Sequence, residues 1–128
     1  MNLVYSVITS ILFSINLSSD IPYSAIEKSF EANNAREIVV KGKSKILINV
    51  LGKEGVYSQP QATLVLKDFF TKYPGNSFTY TFKGKEDTGG TFSIANYITK
   101  KDEKFRVVIF FKKSDSKFRI ESLTIERA

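Results

Sequence analysis

Ser58-Gln59-Pro60-Gln61-Ala62-Thr63-Leu64-Val65-Leu66-Lys67-Asp68-Phe69-Phe70-Thr71-Lys72-Tyr73-Pro74-Gly75 is the stretch on which the reading of this chain turns. Ser58 followed three residues later by Gln61 has the pattern of a capping box, which satisfies N–H groups at a helix start. Pro60 falls in the first turn, where its missing N–H costs nothing. Ala62, Leu66, Phe69 and Tyr73 recur on one stripe, widened by Val65 and Phe70, while Lys67 and Lys72 point elsewhere. That spacing predicts an amphipathic helix ending at about Tyr73, before Pro74-Gly75.

Downstream the period changes from helical to two. Phe78, Tyr80 and Phe82 alternate with Thr79, Thr81 and Lys83. Phe92, Ile94 and Ile98 follow the Glu86-to-Gly90 turn, and Phe105, Val107, Ile109 and Phe111 follow residues 100–104. After Ser114-Asp115-Ser116 come Phe118 and Ile120, then Leu123 and Ile125 with changed parity, which calls for a bulge or bend near Glu121-Ser122. Short turns between these runs predict an antiparallel meander. Upstream, Ser24–Asn33 carries Ile26 and Phe30 four apart as a short helix, and residues 35–40 suit a second. Ile46, Ile48 and Val50 alternate in a strand, and Gly52-Lys53-Glu54-Gly55 is read as a turn. Helices on one face of an antiparallel sheet make this an α+β domain.

The chain has 128 residues, with 42% apolar and 25% charged side chains, a composition that suits one globular domain. Cys and His are both absent. Disulfides, thiolate nucleophiles, Ser-His-Asp or Cys-His catalysis and His- or Cys-ligated zinc or haem are therefore excluded. No cofactor and no metal is expected. Two adjacent carboxylates, Glu86-Asp87, fall short of the six to eight oxygens a calcium ion takes.

Residues 1–19 carry no charged side chain; the 19 Lys and Arg and the 13 Asp and Glu all lie in 20–128, leaving a net charge of +6 there. An apolar run ending at Leu17, short of the roughly 20 residues a spanning helix needs, followed by Ser18-Ser19 and a charged sequence from Asp20, reads as a secretory signal peptide. An uncleaved anchor and a buried N-terminal element are the alternatives. On the first reading, 20–128 is a single exported domain, periplasmic or extracellular, with no transmembrane span in the mature chain.

Lys53-Glu54-Gly55-Val56-Tyr57-Ser58, Gln61-Ala62, Leu66-Lys67-Asp68-Phe69-Phe70, and the ending Phe105-Arg106-Val107, Phe110-Phe111-Lys112-Lys113 and Phe118 through Glu126 resemble a family of small exported bacterial domains of unknown function. The element order is similar to the nuclear-transport-factor-2-like, or cystatin-like, cone. The resemblance implies N-terminal helices packed on a strongly curved antiparallel sheet. It brings no catalytic residues.

Candidate sites are few. Phe69, Phe70, Tyr73, Phe78, Tyr80 and Phe82 could line a ligand pocket in the cone, or simply fill its core. Lys83, Lys85, Lys112, Lys113 and Lys117 cluster at one end of the meander, where they could bind an anion or merely keep the sheet soluble. Nucleic acid is disfavoured as a partner, since no recognition motif is present and export removes it. Val108 and Phe110 make the second face of their strand apolar, with Leu123 and Ile125 as further contributors, and point to a sheet-to-sheet homodimer. The function expected is a non-catalytic exported domain that binds a small apolar or amphipathic ligand or an envelope protein. The alternative is a cone-fold isomerase or dehydratase, which would need a carboxylate beside a Tyr hydroxyl inside a cavity.

Overall fold

A computed structural model describes residues 21–128; the signal-peptide reading of 1–19 lies outside them. Helix α1 (Tyr23–Glu31) and the short α2 (Ala35–Val39) lead into strands β1 (Gly42–Val50) and β2 (Lys53–Ser58). Helix α3 (Gln59–Lys72) follows, then β3 (Gly75–Lys83), β4 (Thr91–Thr99), β5 (Lys104–Ser114) and β6 (Lys117–Arg127). One six-stranded sheet runs in the order β2-β1-β6-β5-β4-β3. All neighbours pair antiparallel except β1 and β6, which are parallel. The helices cover one face.

Helix α1 presents Ile26 and Phe30 to the sheet, both fully buried. It stops at Asn33, whose φ of 57° is a left-handed conformation that Asn tolerates better than most residues. Helix α3 starts where the capping pattern places it. Ser58 is extended (φ −65°, ψ 163°), and the Gln61 side-chain oxygen accepts from the Ser58 N–H at 3.4 Å and the Ser58 hydroxyl at 3.2 Å. The Ser58 hydroxyl is thus directed to Gln61. Ala62, Leu66, Phe69 and Phe70 form the buried stripe of α3.

Three departures from the sequence reading have physical causes. Residues 53–58 form a sixth strand, because the turn sits earlier, on Leu51 (φ 52°) and Gly52 (φ 88°). Positive φ at both central residues is the type I′ geometry that matches strand twist and closes a two-residue hairpin. Phe82 does not share a face with Phe78 and Tyr80: the β3–β4 register shifts between Tyr80 and Phe82, which turns Phe82 to the outer face beside Ile94. Leu123 and Ile125 do not join the outer face either. In the β5–β6 pairing Phe110 faces Ser122 and Phe111 faces Ile120, so Glu121 is the extra residue. This bulge keeps Ile120, Leu123 and Ile125 all buried on the helix side.

Candidate functional site

The interior beneath the helices is occupied by rings. Phe30 stacks on Phe78 at 4.5 Å between centroids and meets Phe70 edge-on at 5.7 Å. Phe69 packs on Phe70, Tyr97 and Phe105 at 5.4–5.7 Å. Phe69, Phe70 and Phe78 are therefore core residues, each excluded from water. Tyr80 is part-buried against them, and burial pushes its hydroxyl well above the usual tyrosine range, with Glu27 and Tyr23 adding to the effect. That hydroxyl donates to the Tyr23 carbonyl at 2.9 Å.

A second polar contact ties the helices to the sheet. Tyr97 is fully buried, and burial raises its hydroxyl far above the ordinary value. Its single proton is shared between the Tyr73 carbonyl at 2.7 Å and Asn33 Oδ1 at 3.2 Å. Asn33 Oδ1 also accepts from the Gly75 N–H at 2.8 Å. Three other buried hydroxyls, Tyr23 Oη, Thr91 Oγ1 and Ser93 Oγ, have no hydrogen-bond partner among the described residues. Burial, reinforced by the nearby Glu86 charge, raises the Tyr23 hydroxyl.

A concavity with a mostly apolar lining lies beside the core. A cleft of about 420 Å3 opens between the C-terminal half of α3 and the β1–β2 hairpin. Val50, Leu51, Leu64, Val65 and the edge of Phe69 form its apolar lining, with Tyr57 and Tyr73 as walls. Lys53, Asp68 and Lys72 stand at its lip. Lys72 pairs with Asp68 at 3.2 Å, with both side chains mostly in solvent. The Tyr73 hydroxyl accepts from Arg127 at 3.4 Å, and Arg127 in turn stacks over Phe105 at 4.9 Å. Of the six aromatic candidates, the cleft uses only Phe69 and Tyr73. Tyr57 was not a site candidate because residues 52–55 read as a turn; Val65 read as part of the packing stripe of α3, and nothing local marked Leu64, which lies off that stripe.

The acid–base alternative finds no buried carboxylate in this cleft. Asp68 is exposed and spent on Lys72. Asp87 lies in the exposed 84–90 turn, where the N–H groups of Gly90 and Gly89 hold its carboxyl below the usual carboxylate range. Among the described residues, no three His, Cys, Asp or Glu side chains gather as metal ligands.

The five lysines at the meander's end are divided in their engagements. Lys83 lies over the Tyr23 and Tyr80 rings, at 4.7 and 5.1 Å from their centres, and Lys113 lies over Phe118. Lys112 turns to the bulge residue Glu121, which also pairs with Lys43. Lys85 and Lys117 are exposed.

The outer face of the sheet is uncovered by any described element. Val56, Leu47, Ser122, Phe110 and Phe92 stand opposite one another in a single cross-strand row over five strands. Phe92 stacks on Phe110 at 5.3 Å and meets Phe82 at 5.2 Å. Phe82 and Phe110 remain 46% and 47% exposed.

A helix-covered, bulged sheet of this order defines an α+β domain of the cystatin-like, or nuclear-transport-factor-2-like, class. The chain belongs to the family described as Domain of unknown function (DUF4783), whose model matches residues 23–126. A DUF4783 family protein from Bacteroides ovatus superposes with a TM-score of 0.77 at 24% identity, covering 87% of this chain and 98% of its own. One from Bacteroides uniformis does so with a TM-score of 0.77 at 23% identity, covering 84% and 97%. A Nostoc punctiforme domain of unknown function with a cystatin-like fold reaches 0.67 at 10% identity, covering 83% of this chain and 72% of its own. No curated protein matches this chain in sequence.

Proposed function

We propose that this domain is a non-catalytic, exported binding module that holds an amphipathic ligand in the cleft between α3 and the β1–β2 hairpin. The cleft carries the reading. Its volume of about 420 Å3 falls in the range of small-ligand sites, its floor is apolar, and its charges sit only at the lip. An apolar body buried on Val65 and Phe69 with an anionic head at Lys53 fits this distribution. The anionic dye anilinonaphthalene sulfonate tests it. Dye fluorescence should rise saturably, fall on competition by dodecanoate, and be lost in Val65→Trp, where the indole fills the floor. Because the outer face could also take dye, the titration is repeated in Phe110→Lys. Enhancement that survives Val65→Trp but disappears in Phe110→Lys would refute the cleft reading.

A second reading concerns the outer face, and the unbroken Val56-to-Phe92 row favours it. Val108 and Phe110, flanked by Phe82, Phe92 and Ile94, form a patch suited to a sheet-to-sheet homodimer. A two-fold interface needs only one such self-complementary surface. Light scattering should give twice the chain mass for wild type and the single mass for Phe110→Lys. A wild-type monomer at tens of micromolar would refute it.

A further inference from the structure

The sheet has two edges, and they are finished differently. At β3, the Phe78 N–H donates to Glu31 Oε2 at 3.1 Å and the Gly75 N–H to Asn33 Oδ1 at 2.8 Å, so helix α1 and the residues after it occupy that edge. At β2, no described side chain bonds to the backbone of Lys53–Tyr57, and among the described residues the strand has no neighbour beyond β1. Bare edges are a liability that folds commonly cover or break. Among the described residues this one stays open, six residues long, directly beside the cleft.

The register sets what the edge offers. The type I′ turn on Leu51-Gly52 closes on the Val50–Lys53 pair. By alternation, Gly55 and Tyr57 turn their N–H and C=O groups toward β1, whereas Glu54 and Val56 turn theirs outward. On the helix-facing side of β2 the row is Lys53, Gly55 and Tyr57, opposite Val50, Ile48 and Ile46. Gly55 presents no side chain, and a Cβ there would meet the Tyr57 ring at 2.7 Å, so that ring lies folded along the strand. Leu64, 66% exposed on α3, faces the space beyond it.

Resting on the cleft reading above, we infer that its ligand is an extended peptide that adds to β2 as a seventh, antiparallel strand. Its N–H and C=O groups bond to Glu54 and Val56. Its alternate side chains turn toward the cleft and pack on Tyr57 and Leu64, so they are apolar. Lys53, at the start of β2, has no ion-pair partner among the described residues. Antiparallel addition brings the C-terminal end of the peptide to Lys53, which selects a carboxylate there. Main-chain bonds from a strand edge with side-chain pockets alongside are a general mode of peptide capture.

The probe is the N-acetylated hexapeptide Thr-Val-Thr-Val-Thr-Glu with a free C-terminus, titrated into the isotopically labelled domain and followed by amide NMR. Shifts should concentrate at Glu54–Tyr57 and Leu64, with slowed amide exchange at Glu54 and Val56. The same peptide N-methylated at its edge-facing residues should bind about tenfold more weakly or worse, because it keeps every side chain but loses the main-chain donors and sets methyl groups against the edge. Val56→Pro should also abolish binding, and an edge strand tolerates proline where the N–H points outward. Equal binding of the two peptides, or no shift at Glu54–Val56 at millimolar peptide, would overturn the inference. If dodecanoate still binds in that case, the cleft reading stands without it. If wild type already protects Glu54 and Val56 and Val56→Pro halves its mass, a second copy occupies the edge and the peptide is wrong.

Discussion

Replacement of Asn33 tests how the helices are joined to the sheet. Its side-chain oxygen takes the Gly75 N–H at 2.8 Å and a share of the Tyr97 proton at 3.2 Å, from a backbone φ of 57°. In Asn33→Gly the backbone is unstrained, but the buried Gly75 N–H loses its acceptor, at about 1–3 kcal/mol. Tyr97 keeps the Tyr73 carbonyl and adds little. The more flexible unfolded chain of the glycine variant adds about 0.5–1 kcal/mol. Asn33→Ala loses the same bond and must also hold Ala in the left-handed region, at about 1–2 kcal/mol. Both variants should therefore fall about 2–4 kcal/mol below wild type by different routes. With a urea slope of about 2 kcal/mol per molar, in the middle of the usual range for small domains, midpoints should drop by about 1–2 M. Asn33→Asp, which keeps the acceptor and tolerates positive φ, should stay nearest to wild type. Urea unfolding followed by circular dichroism measures the set. An Asn33→Gly midpoint equal to wild type would mean that the Gly75 N–H does not depend on Asn33, and the reasoning fails.

Phe69→Ala should cost about 3–5 kcal/mol in the same assay, because the ring is buried and leaves a cavity among Phe70, Tyr97 and Phe105; a near-neutral result would mean that the interior is loosely packed. On the alkaline side, Tyr80 and Tyr97 are raised above the ordinary 10.0, so their folded state holds protons that the unfolded state gives up. Their contribution is intact below about pH 10 and is lost as pH rises from there toward their folded values. Ultraviolet titration should show these two phenols ionising only together with unfolding; all tyrosines titrating reversibly near pH 10 with native dichroism would contradict this. On the acid side, Asp87 is lowered by the Gly90 and Gly89 N–H groups, so its hold on the 84–90 turn persists above the ordinary carboxylate range and disappears as pH falls through its folded value. Asp87→Asn should remove that acid sensitivity of the Gly89 and Gly90 amide signals.

Local chemistry alone settled a large part of this molecule. The Ser58–Gln61 pattern and the Ala62–Leu66–Phe69 stripe placed α3, because capping and a 3.6-residue period are properties of neighbouring residues. The alternation in β5 and the parity change before Leu123 were equally local, and the parity change foretold the bulge at Glu121; in β4 the apolar set Phe92, Ile94 and Ile98 lies on the outer face, and Ser93, Ala95 and Tyr97 are buried instead. Absence of Cys and His restricted the chemistry before any fold was known. Tertiary structure decided what depends on pairing. Whether Phe82 joins Phe78 or turns outward rests on a one-residue register shift against β4, and a slip of one reverses every later side chain. The parallel contact between β1 and β6 joins residues far apart in the chain, and no local period records it. That contact leaves β2 as an edge, and the packing of α3 against its hairpin opens the cleft. The cleft is therefore set by long-range pairing, which brings Tyr57 and Leu64 to one concavity that their immediate neighbours in sequence do not encode.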